Sequence, residues 1–273
     1  MPELPETETI ARDLDALLAG RRIARVEVPH PDVLRSCNAR SIGRLLAGRT
    51  AERAWRRAKA VVIELAGGAR IVAVPRFTGA LLLREAGEPD DSYDCVRWRL
   101  ADGATLAYRD VRRLGTVSVM DEESFATLDR RLGVEPLDRA FTPVALSALL
   151  GSSDQPVKKI LMDQRRIAGI GNIYATESLW AAGIDPSRRG RAVTGDEAAA
   201  LRDAIVGVLR RSIRARGTTF RDYRDARGGR GGFAPQLAAY GRGGLPCRRC
   251  GTRLTTTHAI DGRATTFCHR CQS

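Results

Sequence analysis

The sequence has no apolar run long enough to span a membrane, few aromatic residues, and only three lysines among its 45 basic residues. Without a membrane-length run, the 273 residues are expected to form a soluble globular protein of one large or two medium domains. Arginine and aspartate interrupt the amino-terminal region before an apolar stretch develops, so no signal peptide is predicted. We therefore expect a reducing, cytoplasmic compartment.

The scarcity of lysine draws attention to Lys59, Lys158 and Lys159, because only lysine offers a primary amine that can lose its proton.

Basic charge is concentrated towards the C-terminus. Residues 210–273 hold 14 arginines and three aspartates, which is +11 of the formal net charge of +13. Such an excess is typical of proteins that bind nucleic acid, and the alternative is a solvated basic surface in an arginine-rich proteome.

Four of the six cysteines form two close pairs, Cys247-x-x-Cys250 and Cys268-x-x-Cys271, with 17 residues between the pairs. This spacing predicts a ribbon in which two turns present four thiolates to one structural zinc ion. Disulfides are the alternative, which a reducing compartment disfavours. Arg263 lies between the pairs, where a hairpin tip would expose a guanidinium suited to phosphate binding.

Apolar periodicity divides the chain into a strand-rich part and a helical part. A leading amphipathic helix is predicted over residues 6–19, and strands between residues 23 and 120 indicate a β-sandwich or barrel, with Cys37 and Cys95 as core or strand residues. Gly67-Gly68 and Asp102-Gly103 mark two hairpins. Helices are predicted near 123–132, 143–150, 156–166, 172–182 and 195–215. We expect an α+β protein with domains 1–130, 131–235 and 236–273.

Two segments that contain glycine are candidates for contact with a partner. Residues 167–172 connect two predicted helices, and the two glycines there would let backbone amides approach a phosphate at a helix N-terminus. An ordinary turn between helices is the alternative. Residues 228–232 include four glycines and predict a mobile loop, which either faces substrate or is a spacer.

Pro2 follows the initiator methionine, whose removal would give the mature chain a secondary amine at its first position. The pKa of an α-amino group, about 8, would be lowered by a nearby helix N-terminus, which leaves a sizeable neutral fraction at pH 7. Attack on a sugar C1′ would form an iminium that enables β-elimination of a phosphate, with Glu3 as acid or base. From these residues alone, an incidental proline is the simpler interpretation.

An ordered set of motifs changes that interpretation. In chain order they are Pro2-Glu3-Leu4-Pro5-Glu6, Lys59 after Arg56-Arg57-Ala58, Asp110-Val-Arg112-Arg113-Leu-Gly115, Leu132-Gly-Val-Glu-Pro-Leu137, Leu161-Met-Asp163, Gly169-Ile-Gly-Asn172-Ile-Tyr-Ala175, Gly217-Thr-Thr-Phe-Arg-Asp-Tyr223 and Cys271-Gln272. Over essentially the whole chain, this set resembles the formamidopyrimidine-DNA glycosylase family of bacterial repair enzymes for oxidised purines. The resemblance implies an N-terminal β-sandwich domain, a helix-two-turn-helix domain and a zinc ribbon.

The resemblance also implies roles for individual residues. Pro2 would be the nucleophile that forms a Schiff base, Glu3 the acid that assists ring opening, and Lys59 a residue of phosphate contact and elimination. Arg263 would grip the phosphates beside the lesion and assist the second elimination. Further implied DNA contacts are Tyr93, Arg112, Arg113, Lys158 and Asn172, and the implied residues that fill the gap left by a flipped base are Phe77, Arg112 and Leu114. The implied partner is double-stranded damaged DNA, bound by a monomer associated with the bacterial nucleoid and with no membrane.

Four positions depart from the family pattern. Phe77 and Leu114 stand where the family uses Met and Phe, Tyr93 replaces a usual His, and Gly232 replaces an aromatic residue in the mobile loop, which should therefore be looser. These departures leave oxidised pyrimidines or abasic sites open as alternative substrates. Leu4 favours the purine branch, because the sister endonuclease VIII branch usually begins Pro-Glu-Gly-Pro. A non-catalytic zinc-ribbon protein that binds damaged DNA is the third hypothesis.

Overall fold

The computed structural model describes Pro2–Ser273 and divides into two compact units. The N-terminal unit runs to Arg130 and also includes Ile213–Gly232, whereas the C-terminal unit comprises Arg131–Ser212 and Phe233–Ser273. The division into domains 1–130, 131–235 and 236–273 stays a prediction. Within the described residues, no helix combines the length and the apolar character that a membrane span requires.

The N-terminal unit is built from two sheets and three helices. Its elements are α1 (Leu4–Leu18), β1 (Ile23–Glu27), β2 (Leu34–Arg35), α2 (Ala39–Leu46), β3 (Ala51–Arg57), β4 (Ala60–Leu65), β5 (Arg70–Val74), β6 (Gly79–Arg84), β7 (Asp94–Leu100), β8 (Thr105–Asp110), β9 (Thr116–Met120) and α3 (Glu122–Asp129). One sheet has the order β1-β7-β8-β6 and the other the order β2-β9-β5-β4-β3. All neighbouring strands in the two sheets are antiparallel except the parallel pair β2 and β9.

One cluster of buried side chains draws on both sheets and on α1, as a sandwich requires. It includes Leu14 from α1, Ile63 from β4 and Trp98 from β7. The other face of the five-stranded sheet is covered by α3, whose Phe125 meets Trp55 edge to face with ring centroids 5.4 Å apart. Strands such as β4 are therefore buried on both faces, which explains why their sequences read as continuous apolar runs.

Both predicted hairpins are present at the predicted turns. Gly67 and Gly68 each have a φ of +82° between β4 and β5, and Gly103 has a φ of +90° between β7 and β8. At the second turn, the Asp102 carboxylate accepts a hydrogen bond from the Ala104 N–H at 3.0 Å. Because glycine adopts this left-handed backbone at little cost, the sequence located both turns.

The C-terminal unit is mainly helical and ends in a short hairpin. Its elements are α4 (Pro143–Gly151), α5 (Val157–Met162), α6 (Asn172–Ala182), α7 (Gly195–Arg214), β10 (Thr255–Thr257) and β11 (Thr265–Phe267). α5 and α6 flank the glycine-bearing connector, and β10 pairs with β11 between the two cysteine pairs. The predicted α+β class, with a β-sandwich, a helix-two-turn-helix segment and a zinc ribbon, is confirmed.

The connector between α5 and α6 is held by the segment that precedes α4. The Gly133 N–H donates to the Gln164 carbonyl at 2.8 Å, and the Ala168 N–H donates to the Val134 carbonyl at 2.9 Å. A Cβ at Gly133 would lie 2.2 Å from the Arg166 carbonyl carbon, so this close approach requires glycine. The Leu132-Gly-Val motif is thus explained by packing.

Several elements differ from their predicted bounds. The helix predicted over 156–166 ends at Met162, because Asp163 leaves helical geometry and its carboxylate accepts the Arg165 N–H at 3.0 Å. α2 was not predicted, since strands were expected throughout this region; Asn38 caps the helix by accepting the Ser41 N–H. Residues 228–232, predicted to be a mobile loop, lie outside any helix or strand. Their Gly229, Gly231 and Gly232 N–H groups nevertheless donate hydrogen bonds of 2.7–2.9 Å, which restrain the loop.

A buried carboxylate links α6 to the segment that precedes the ribbon. Glu177 is 4% exposed and accepts backbone N–H groups from Ala238, Ala239 and Tyr240 at 2.9, 2.8 and 2.7 Å. A carboxylate satisfies three donors in this way without presenting a donor of its own. Residues 238–240 are therefore fixed by a side chain about 60 positions earlier in the sequence.

We expect Glu177→Gln to lower the free energy of unfolding by about 3 kcal/mol, because the new NH₂ group would face backbone donors and charge-assisted hydrogen bonds would be lost. Urea titration followed by circular dichroism measures this change. Asp196→Asn, at an exposed carboxylate in the first turn of α7, is the matched control and should cost less than about 1 kcal/mol. Equal stability of Glu177→Gln and the parent would contradict this interpretation.

Candidate active site, DNA-contact residues and zinc centre

Pro2 and Glu3 are buried at the N-terminus of α1. Glu3 is the N-cap residue, and its carboxylate accepts the Glu6 N–H while Glu6 Oε2 accepts the Glu3 N–H at 2.9 Å. This reciprocal capping box fixes the backbone that carries Pro2. The positive end of the helix dipole lies at the same residues, so the site favours negative charge.

Glu6 also ties α1 to the segment after α7. Its Oε1 accepts the Thr218 N–H at 2.7 Å, and the Tyr223 hydroxyl donates to the Glu6 carbonyl at 3.3 Å. Burial raises the pKa of the Tyr223 phenol above its usual range, so the hydroxyl remains a donor. Gly217 has a φ of +85°, and a Cβ there would lie 3.0 Å from Glu6 Cγ. The Gly217-Thr-Thr motif thus packs directly against the helix start.

Lys59 lies in the two-residue turn between β3 and β4. Ala58, its neighbour in this turn, has a φ of +52°. The Arg56 guanidinium donates to the Ala58 carbonyl at 3.0 Å and to Glu8 of α1 at 2.9 Å. Because Arg56 is nearly buried, this ion pair links the turn that carries Lys59 to the helix that begins beside Pro2 and Glu3. Three of the four predicted catalytic residues, Pro2, Glu3 and Lys59, therefore lie in the N-terminal unit.

One buried carboxylate organises the two loops that carry the predicted void-filling residues. Asp110, 1% exposed, accepts hydrogen bonds from the Thr78 hydroxyl at 2.5 Å, the Gly115 N–H at 2.9 Å and the Arg112 N–H at 3.2 Å. Phe77 has a φ of +48° in the first loop. The loops before β6 and after β8 are therefore held as one structure.

The side chains on these loops remain outside the core. Phe77 is 45% exposed and Leu114 is 40% exposed. The Arg112 guanidinium lies over the Phe77 ring, 4.8 Å from its centroid, in cation–π geometry. The structure thus brings Phe77 and Arg112 into contact and places Leu114 on the same loop as Arg112.

Tyr93 and Arg113 lie in neighbouring surface segments of this unit. Tyr93 is 46% exposed, and the Arg109 guanidinium lies 5.1 Å from its ring centroid. Arg113 has a φ of +52° and approaches Asp32 at 3.6 Å and His30 at 3.5 Å. Both side chains are accessible to a partner.

In the C-terminal unit, Asn172 and Arg263 are brought together at the tip of the ribbon hairpin. Asn172 begins α6, and its Nδ2 donates to the Ala264 carbonyl at 3.0 Å. Arg263 lies between β10 and β11 with an exposed side chain, as the sequence predicted. Gly262, with a φ of +76°, forms the turn beside it.

Lys158 differs from the other predicted DNA contacts because its side chain is fully buried. Its Nζ donates to the Thr265 hydroxyl at 2.6 Å and lies 3.3 Å from both carboxylate oxygens of Asp261. A direct phosphate contact by Lys158 would require this ion pair to open.

The sulfur atoms of Cys247, Cys250, Cys268 and Cys271 all lie within 4.8 Å of one another, and no disulfide joins cysteines among residues 2–273. The Cys250 and Cys268 sulfurs are 3.6 Å apart, close to the ~3.8 Å edge of a tetrahedron with zinc–sulfur distances near 2.3 Å. Hydrogen bonds from Thr252 lower the pKa of Cys250 to about 6, whereas the hydrogen bond to Cys250 raises that of Cys271 to about 12. A divalent cation that binds thiolates fits this donor set.

Comparison with known proteins identifies the family. Residues 1–117 match the formamidopyrimidine-DNA glycosylase N-terminal domain, residues 132–224 match the H2TH domain of the same enzymes, and residues 244–273 match a zinc finger found in FPG and IleRS. The chain belongs to the formamidopyrimidine-DNA glycosylase family. It is therefore a DNA glycosylase for the base-excision repair of damaged bases, and its four cysteines form the site of one structural zinc ion.

Relatives match along nearly the full length of the chain. The formamidopyrimidine-DNA glycosylase of Moorella thermoacetica is 44% identical over 93% of each chain. A Lactococcus lactis FPG mutant, in complex with DNA that contains Fapy-dG, is 30% identical and superimposes with a TM-score of 0.92 over 100% of each chain. MutM (FPG) from Thermus thermophilus is 36% identical, with a TM-score of 0.88 over 99% of this chain and 98% of that one.

Sequence reasoning missed the buried carboxylates that hold these glycosylase loops. The role of Glu6 could have been predicted from the sequence, because Glu6 stands three residues after the N-cap residue Glu3. A capping box has a glutamate or glutamine at that position. Asp110 ends β8 directly before the Arg112 loop, but nothing in the sequence pairs it with Thr78, 32 positions earlier. These residues position the predicted site residues.

Zinc removal should unfold the ribbon, so that its four thiols become exposed, lose the contacts that shift their pKa values in the folded ribbon, and react. Burial raises the pKa of Cys37 and raises that of Cys95 to about 11, so these two react slowly with a thiol reagent near pH 8. We expect metal analysis to give one zinc per chain, and thiol titration to gain four groups after chelation. A Cys37→Ser variant should gain the same four. A gain of two or fewer would contradict a four-thiolate site.

Proposed function

We propose that this glycosylase removes 8-oxoguanine and formamidopyrimidines from duplex DNA and then nicks the strand as an abasic-site lyase through a Schiff base on Pro2. The observation that carries the proposal is the buried pair Pro2 and Glu3 at the capped start of α1, linked through Glu8 and Arg56 to the turn of Lys59. A protein that only bound phosphates would need no carboxylate beside a terminal amine. This arrangement disfavours the non-catalytic hypothesis.

In the proposed reaction, the Pro2 nitrogen of the mature chain bonds to C1′ as the bond from C1′ to the damaged base breaks, and the base leaves with a proton. Glu3 protonates the ring oxygen O4′ as the sugar opens, which leaves an iminium. Loss of a C2′ proton then expels the 3′ phosphate. A second elimination expels the 5′ phosphate, with Lys59 and Arg263 stabilising the departing anions.

The fixed helix start supports this chemistry by positioning the amine. Glu6 binds the Glu3 N–H and the Thr218 N–H with separate oxygens, so the backbone beside Pro2 has little freedom. A nucleophile held in one orientation needs less reordering to reach its target atom. We infer that the Gly217-Thr218 segment acts as the support for the reactive end of α1.

Chemistry at C1′ requires the damaged nucleotide to leave the base stack, at a cost of a few kcal/mol, which a damaged pair partly reduces. We infer that Phe77 and Leu114 insert as apolar wedges and that Arg112 hydrogen-bonds the orphaned base. The exposure of both apolar side chains and their attachment to loops fixed by Asp110 support this assignment. Tyr93, Arg113 and Asn172 are proposed backbone contacts.

A shift towards oxidised pyrimidines or abasic sites is the second candidate. It is favoured by the planar Phe77 in the wedge, which already stacks on Arg112 in the free protein, and by the missing side chain at Gly232. A stacked wedge fills the gap with a different shape from a methionine. Gly232 also removes an aromatic contact from the loop expected to recognise the purine.

Cleavage assays on three duplexes decide between these candidates. With 8-oxoguanine, thymine glycol or a bare abasic site placed opposite a fixed partner base, we expect the 8-oxoguanine strand to be cut faster than the thymine glycol strand. Pro2→Gly should abolish cleavage of the lesion duplexes, because its terminal amine is primary and more flexible. Indifference to 8-oxoguanine, with rapid cutting of either other duplex, would overturn the leading proposal.

The proposed phosphate contact of Arg263 predicts a change in salt dependence. For Arg263→Ala, the slope of log K against log salt should become shallower by about 0.9, because one fewer counterion is released. Binding to a duplex with a tetrahydrofuran site, measured by fluorescence anisotropy at several salt concentrations, gives the slope. Arg139→Ala, which removes an exposed arginine in the same unit, is the control and should leave it unchanged. An unaltered slope for Arg263→Ala would argue against the contact.

A further inference from the structure

Lys158 places a positive charge in the interior of the C-terminal unit, where its side chain has no exposed surface. Burying an ammonium costs several kcal/mol unless a carboxylate and further hydrogen bonds compensate for the lost water. A surface arginine or lysine would serve a simple phosphate contact without this cost. The burial therefore points to a role inside the protein.

The partners of Lys158 flank Arg263 in the sequence. Asp261 lies two residues before Arg263, and Thr265 lies two residues after it. Both Asp261 carboxylate oxygens lie 3.3 Å from the ammonium, and the Thr265 hydroxyl accepts from it at 2.6 Å. The Asp261 side chain is only 9% exposed, so water screens this ion pair weakly.

The same two partners hold both backbone polar groups of Arg263. Asp261 Oδ1 accepts the Arg263 N–H at 3.1 Å, and the Thr265 hydroxyl donates to the Arg263 carbonyl at 3.2 Å. The Thr265 hydroxyl thus accepts one hydrogen bond from Lys158 and donates its only proton to the Arg263 carbonyl. Both of these bonds are ones that a hydroxyl group can form at the same time. Asn172 holds the next residue through the Ala264 carbonyl at 3.0 Å.

We propose that Lys158 is a positioning residue that acts through Asp261 and Thr265 to hold the turn that presents Arg263. The exposed guanidinium extends from a backbone fixed on both sides, so less conformational freedom is lost when it meets DNA. Lys158 then strengthens DNA binding without touching a phosphate. The effect on DNA rests on the contact proposed above for Arg263, whereas the restraint of the turn is independent of DNA.

A double-mutant cycle tests the proposal on the zinc-loaded full chain. Affinity and salt slope are measured with the tetrahydrofuran duplex for the parent, Lys158→Met, Arg263→Ala and the double variant. If Lys158 acts through Arg263, the double variant binds within about twofold of Arg263→Ala and has the same slope. In the opposite outcome, the double variant would lose affinity by the product of the two single losses, and its salt slope would be shallower by a further step of about 0.9. That result would mean that Lys158 contacts phosphate itself and would overturn the proposal.

Hydrogen exchange of the free protein separates this proposal from the proposed function. Lys158→Met should speed exchange at the Arg263 amide at least tenfold and leave α4 unchanged. Unchanged exchange at Arg263 would overturn the positioning role. If Arg263→Ala binds DNA as the parent does, the proposed DNA contact fails, and faster exchange at Arg263 would still support the restraint of the turn.

A variant that lost the whole ribbon would also show non-additive binding, so each variant must retain one zinc per chain. Should Lys158→Met lose zinc, Asp261→Asn replaces it, since the amide oxygen still accepts the Arg263 N–H while the ion pair is removed. The milder variant should also speed exchange at Arg263. Parent-like exchange in Asp261→Asn would overturn the proposal.

Discussion

The buried charged side chains of this protein each need several hydrogen-bond donors or acceptors, and that need fixes the loops around them. A charge taken out of water costs several kcal/mol unless its partners are well placed, so a structure that buries one tolerates few arrangements of the surrounding backbone. Glu6, Asp110 and Glu177 each bind backbone N–H groups from segments outside regular helices and strands. Lys158 does the converse, by binding two oxygen-bearing side chains of a turn.

This constraint separates the residues that support the glycosylase site from those proposed to meet DNA. The supporting residues are buried, and all of them except Lys158 are acidic. Phe77, Arg112 and Arg263 are exposed, and they extend from the loops that the supporting residues hold in place. These carboxylates bind donors inside the protein, so they occupy none of the exposed positions at which a basic surface meets a polyanion. The zinc site provides the same rigidity at the ribbon, where few apolar side chains are available for a core.

Much of the architecture was predictable from short-range patterns. The cysteine spacing gave the zinc site, the glycine turns gave two hairpins, and apolar periodicity gave most of the helices. The helix predicted over 156–166 was too long because the Asp163 side chain competes with the helix for a backbone N–H. Short-range patterns contain this information because turns and helices are closed by residues a few positions apart.

The rest depended on contacts between distant residues. Lys158 meets Asp261 across 103 positions, and Glu6 meets Thr218 across 212. No periodicity reports such a pair, so the phosphate contact that the family resemblance implies for Lys158 gave no sign that its side chain is buried. The catalytic assignments of Pro2 and Glu3 came from the resemblance, since a proline at position 2 carries little information alone. The structure adds the reason why that end of the chain is held in place.

The account depends most directly on the covalent use of Pro2. Borohydride reduction during reaction with an 8-oxoguanine duplex, followed by nuclease and trypsin digestion and mass spectrometry, identifies the residue that carries the sugar remnant. The account predicts a modified peptide of residues 2–12 with the adduct on the Pro2 nitrogen. An adduct on Lys59, Lys158 or Lys159, or no adduct while the strand is cut, would contradict it.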